Sequence, residues 1–334
     1  MFDYQFGEKT AGVPEVDFGD AREMQPYLAA PDAMYVGAPG KQGYLRMVFE
    51  ISPEGKCVMS DLERRVPIIV QQELYFDRIW KELPCVYILS SGGGNLDGDR
   101  YQQDIYLKKN AFAWVSTGAA TKLCEMKRNY SGMKQHITLE ENAYLEFMPE
   151  PVIPCRNTRF ICDSELVVHP TATLFYSEIY MGGRKHYEKP EMFDYDILSV
   201  CCKGMRPDET HDMPDADIKT PKSPVIFREK FVIEPGRLLN PRQLGVMGLF
   251  DVFANVIVMT PPDKAEEIYS RTQAYLNPEE KMAAGISRLP NNAGLLFKVL
   301  GMEPVPVKKV VRKFCSTVRE VVKGMPVADE FPWR

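Results

Sequence analysis

The chain has 334 residues, of which 45% are apolar and 26% charged, proportions of a soluble globular protein that exclude whole-chain disorder. A formal net charge of −5, with no basic stretch of domain size, excludes non-specific binding to nucleic acid, which needs a surface that neutralises phosphates. The start of the chain carries Asp3 and Glu8 and no apolar segment, unlike a secretory leader, so a cytoplasmic protein is expected.

Residues 1–42 are rich in Pro, Gly and Asp and show no period; they read as an irregular arm that a partner would order. Residues 43–334 read as a single β domain. Short apolar runs follow one another between turn residues: Tyr44–Ile51, Val66–Val70, Cys85–Leu89, Ala111–Ser116, His136–Leu139 and Ala143–Met148. Phe160–Val168, Ala172–Met181, Ile197–Cys202, Val225–Ile233 and Val252–Met259 continue the series. Ala143–Met148 and Ala172–Met181 are apolar at odd and even positions alike, which requires cover on both faces. The fold class expected is therefore mainly β, a β-helix-like stack of sheets with a small number of C-terminal α-helices.

The polar stretch 203–224, with four prolines and His211, is expected to be a surface loop. The apolar run Leu244–Met259 is interrupted by Asp251 and Asn255 and falls short of the roughly 20 residues of a membrane span, so it is expected as a buried strand pair. Helical spacing predicts helices near 263–276 and 307–323, the second ended by Gly324 and Pro326.

Two carboxylates carry the chemistry. Glu146 and Glu178 each lie inside a two-faced apolar run, where an ionised carboxylate without a partner costs several kcal/mol or shifts its pKa. Each must meet a cation, a hydrogen-bond network or internal water; Arg156, Arg159 and Arg184 are the candidate ion-pair partners. A second feature, Ser90–Arg100, sets glycines directly after a strand. It lacks the Lys-Ser or Lys-Thr of a phosphate loop, and a strand is expected after it, so a tight corner presenting Asp97 and Asp99 is the simpler reading. The eight cysteines form no C-x-x-C pair and read as reduced core thiols. Four isolated histidines form no defensible triad.

At these positions the sequence resembles the UreD/UreH family of urease accessory proteins. The carriers are Gly93–Arg100, Ser116–Lys122, Leu145-Glu146-Phe147-Met148-Pro149-Glu150, the segment from Glu178 to Gly183-Arg184, and Gly294–Gly301. Asp97 replaces a usual glycine, Phe147 a usual tryptophan, and Pro151 stands where many members carry an acid. The resemblance implies a non-enzymatic scaffold that binds urease apoprotein and recruits a UreF-type protein and, through it, a UreG-type GTPase. It also implies nickel in transit through an internal path, with no resident cofactor and no membrane or nucleic-acid partner. Glu146, Glu178 and Asp99 are expected to line that path, with Glu150 and Asp97 near its mouth; carboxylates hold nickel loosely enough to release it. The competing expectations are a structural scaffold whose buried acids are ion-paired, and a nucleotide-dependent enzyme using the glycine corner.

Overall fold

The computed structural model describes residues 16–19, 21–32, 39–207, 224–237 and 240–333. Two large sheets pack across one shared core. In the first, β1 (Gln42–Ile51), β5 (Arg100–Leu107), β8 (Ser131–Leu139), β11 (Arg159–Val168) and β15 (Ile197–Met205) run parallel. Antiparallel strands close both sides of that row, β2 (Cys57–Arg65) on β1 and β16 (Val225–Ile233) on β15.

The second sheet follows the same plan. Its parallel strands are β4 (Cys85–Ser90), β6 (Phe112–Thr117), β9 (Tyr144–Phe147) and β12 (Thr173–Met181). The short strand β3 (Ile68–Ile69) closes one side. On the other side β17 (Val252–Met259), β20 (Gly294–Gly301), β19 (Met282–Arg288) and β18 (Tyr275–Asn277) add on antiparallel. Short strands β7 (Thr121–Leu123) and β10 (Val152–Pro154) pair at the ends of the coils, and β13 (Gly183–Arg184) pairs with β14 (Glu191–Met192).

The chain thus winds from one sheet to the other and back, one row on at each coil. This is the β-helix-like stack expected from the two-faced runs. Successive coils turn at Asn110 and Asn142, both at positive φ (62° and 58°), and the Asn142 amide donates to Asn110 Oδ1 at 3.1 Å. Asparagine tolerates that backbone because its short polar side chain bonds locally.

Pleat alternation explains why the second sheet is apolar on both sides. Leu145, Phe147, Leu174 and Tyr176 point into the core between the sheets, whereas Tyr144 and Phe175 point outward. The outer face is covered by α1 (Pro262–Arg271) and α2 (Pro304–Lys323). Val307, Val311, Phe314 and Val318 form the buried stripe of α2, and Phe314 meets the Phe297 ring at 4.3 Å. Each such side chain contributes about 1.5–3 kcal/mol of burial. Gly324, at φ 73°, ends α2 by donating to the Glu320 carbonyl.

Several boundaries differ from expectation. The run 244–259 is one strand rather than a pair: only 252–259 is strand, and Leu244 is 97% exposed in a series of turns. β15 continues through Lys203 to Met205, held between β11 and β16, so the polar stretch begins later; residues 208–223, with His211, lie outside the described residues. α1 stops at Arg271. The Asn277 side chain accepts from the N–H groups of Glu279 and Glu280, making the turn that folds β18 back onto β19. Within the expected arm, Phe18 and Met24 are buried against Tyr130, Ile161 and Ile197 of the chain itself. Among the described residues no helix is long and apolar enough to cross a membrane.

Gly294 begins β20 at φ +132°, and a methyl group there would sit 1.9 Å from the Val258 carbonyl oxygen. Gly294→Ala should therefore lower the unfolding free energy by about 2–4 kcal/mol, read from denaturant midpoints.

Candidate functional site

Between the two sheets the core leaves a cavity of about 260 Å³. Tyr101, Gln103, Gln135 and Cys162 line it from the first sheet; Phe147, Tyr176, Glu178 and Tyr180 line it from the second. The glycine corner at Gly93–Asn95, residues 117–122 and Glu150 complete its wall.

Glu178 is the carboxylate of this cavity. It is only 5% exposed, and no ion pair joins it among the described residues. Its Oε1 accepts hydrogen bonds from the Tyr176 and Tyr180 hydroxyls at 2.9 and 3.2 Å, while Oε2 accepts none. Burial pushes the Glu178 carboxyl up to about 7; the two phenols pull it back, and the Asn255 amide, opposite on β17 and without a hydrogen-bond partner of its own, adds a weaker pull. Burial, reinforced by the Glu178 charge, holds both phenols well above their ordinary value, so they remain O–H donors. A carboxyl with one unsatisfied oxygen, in the wall of a cavity and poised near neutrality, suits a cation or water that comes and goes.

Glu146 is not part of this cavity. It stands beside Phe175 on the outward face of the same sheet, under α2, so the expectation that Glu146 and Glu178 line one interior fails on the parity of the pleat. Its partner is none of the three arginines considered. Arg319 of α2 donates to both Glu146 oxygens at 2.7 and 2.6 Å and to Asp77 Oδ2 at 2.6 Å, and all three side chains have no exposure. The Tyr144 hydroxyl donates to Glu146 Oε1 at 2.6 Å. Burial works against the Arg319 charge, yet the Glu146 carboxylate outweighs it and raises the guanidinium pKa. The triad is fully compensated and ties α2 to the stack.

The glycine corner uses its acids on its own backbone. Asp97 accepts from the N–H groups of Lys127, Arg128 and Asn129, fixing the next coil's turn. Asp99 accepts from the Lys41 and Leu96 N–H groups and from the Tyr101 hydroxyl at 2.6 Å, and its carboxylate pairs with Lys41 Nζ at 3.2 Å. It therefore touches the cavity only through Tyr101. Glu150 does line the cavity, and Lys308 Nζ donates to its two oxygens at 2.7 and 2.8 Å. Of the five expected acids the structure brings Glu178 and Glu150 to one space and keeps Glu146 and Asp97 away from it.

Sequence reading missed the polar ladder facing Glu178. Gln103, Gln135 and Ser164 are in register on β5, β8 and β11. Gln135 Oε1 accepts from Ser164 at 3.0 Å and lies 2.8 Å from the Tyr176 hydroxyl, whose one proton it shares with Glu178, while its amide donates to Gln103. The signal was present as polar residues recurring once per coil, but it becomes visible only when the coil length is known. All eight thiols are free, and burial raises that of Cys162 beside the ladder. Among the described residues no three His, Cys, Asp or Glu side chains gather as a metal cluster.

Residues 41–334 match the UreD urease accessory protein family. The chain is 42% identical over 315 residues to urease accessory protein UreD 2 of Brucella suis, covering 94% of this chain and 99% of that one. It is 39% identical over 317 residues to urease accessory protein UreD of Yersinia pseudotuberculosis, covering 94% and 93%.

Two outcomes follow from this geometry. Arg319→Met leaves Glu146 and Asp77 buried and uncompensated, and should cost about 3–5 kcal/mol of stability in denaturant unfolding. For Glu178 the folded state holds its proton more tightly than the unfolded state, whose carboxyl titrates near 4.5. Stability should therefore fall as pH rises from 4.5 to about 7, by an amount on the order of 3 kcal/mol, and Glu178→Gln should remove that slope in unfolding measured across this window.

Proposed function

The chain belongs to the UreD family of urease accessory proteins, and from that premise we propose that it serves urease maturation as a scaffold with an internal nickel path, not as an enzyme. In this reading it holds urease apoprotein and recruits a UreF-type protein, which brings a UreG-type GTPase. Nickel passes between the two sheets and rests against Glu178.

The observation that carries this reading is the Glu178 carboxylate: enclosed in a cavity, hydrogen-bonded on one oxygen only, and balanced by no ion pair among the described residues. Carboxylate, amide and phenol oxygens offer a divalent ion moderate binding, weaker than a thiolate cage would give, which fits passage better than storage. A cation reaching Glu178 displaces a carboxyl proton and water, both small costs near neutral pH. The Gln103–Gln135–Ser164 ladder supplies further oxygen atoms across the same space.

A scaffold without metal passage draws its support from the paired acids. Glu146 is closed by Arg319, and Glu150 by Lys308. The two readings part at Glu178. With Glu178→Gln the complex with urease apoprotein should still form, while nickel in the matured urease, counted by elemental analysis, should drop about tenfold. Full nickel loading with the amide in place would leave the scaffold reading alone.

A further inference from the structure

A second cavity, of about 400 Å³, abuts the first, and the two share Leu89, Thr117, Gly118 and Glu150 as lining. Pro332 and Trp333 of the C-terminal segment form part of the outer one. Glu150 stands at the junction. Its backbone N–H donates to Thr117 Oγ1 at 2.9 Å, which fixes the chain at the wall that the two spaces share. Both of its oxygens are taken by Lys308, whose side chain is 9% exposed and whose ammonium also lies 5.0 Å from the centre of the Trp333 ring.

That lysine gains little from its own helix. It stands near the start of α2, the end with positive dipole character, where a cation is not favoured. Its stem is buried, its charge is spent on Glu150, and the Trp333 face supplies the remaining cation contact. A built-in monovalent cation therefore occupies the carboxylate that, among the described residues, the inner and outer cavities share.

We propose that Lys308 is an electrostatic plug: it belongs to the lining of neither cavity, its ammonium holds the Glu150 carboxylate that both share, and a divalent cation crossing between the cavities takes Glu150 from it. The carboxylate exchanges one counter-ion for another, with no bond made or broken. This rests on nickel using the interior, and it adds where passage is held shut. A hydrated divalent ion carries twice the charge of the ammonium and competes for the same oxygens, so passage is resisted at rest without being blocked.

The test uses the purified full chain and nickel chloride at neutral pH, read by equilibrium dialysis. Lys308→Met keeps the length and apolar stem and removes the charge, and it should bind nickel about tenfold more tightly than the unsubstituted chain. Lys308→Arg should retain the resting affinity, and the gain should vanish in the Lys308→Met, Glu150→Gln double variant. If the lysine only pins α2, Lys308→Met lowers the melting temperature and leaves nickel binding unchanged, which overturns the plug. A gain that survives in the double variant overturns it as well.

The unsubstituted chain offers a check that needs no substitution. Acetylation of Lys308 by an amine-reactive reagent, followed by mass spectrometry, should rise several-fold when nickel is added; equal labelling with and without nickel overturns the proposal. None of these readouts involves urease. A null result here removes the plug and leaves the Glu178 passage standing, whereas full nickel loading in Glu178→Gln removes the passage itself.

Discussion

A carboxylate taken out of water has to be compensated, and the second sheet meets that requirement differently on its two faces. Outward, Glu146 is answered by a full positive charge from Arg319, with Asp77 and Tyr144 completing the set. Inward, Glu178 is answered by neutral phenols and by a shift toward its protonated form. The first solution is rigid: Arg319 is fixed by α2, Asp77 by the loop before β4 and Tyr144 by β9, and loosening either charged partner leaves bare charge in a dry place. The second leaves an oxygen uncommitted. The same residue type on neighbouring strands of one sheet thus acts as a fastening in one direction and as an exchangeable site in the other.

The rest of the architecture supports that contrast. The outward triad needs a helix pressed on the sheet, and the apolar stripe of α2 provides the contact that carries Arg319 into place. The inward site needs a space, and on the facing sheet the in-register positions of β5, β8 and β11 carry Gln103, Gln135 and Ser164 where β1 carries Leu45. These polar side chains bond to each other across the rows.

Much of the fold was legible in the sequence because the strands are short, rich in Val, Ile, Tyr and Phe, and separated by turn residues. Runs apolar at every position implied cover on both sides, and the stack with its late helices follows from that. What local pattern could not supply was the destination of partners remote in the chain. Arg319 lies 173 residues from Glu146, and Lys308 lies 158 from Glu150. Arg156, Arg159 and Arg184, nearer in sequence, pair instead with Asp194, Asp196 and Glu191. Nor did the sequence alone tell Glu146 from Glu178. Both sit in identical-looking apolar surroundings, and the face each occupies depends on a register that a single residue's slip would reverse. The run before β17 misled for a related reason: Leu244 and Leu249 look like core and stand in solvent.

The winding stack has a further consequence at its ends. A row of parallel strands presents a template to any unpaired strand, including the same row in another copy of the chain. Here each parallel row is closed by strands of opposite direction, and the outermost of the first sheet, β2, carries Asp61, Glu63, Arg64 and Arg65 along an exposed length. Copies meeting there would have to bury charge. The charge on that outer strand thus disfavours growth of the coil by edge-to-edge pairing.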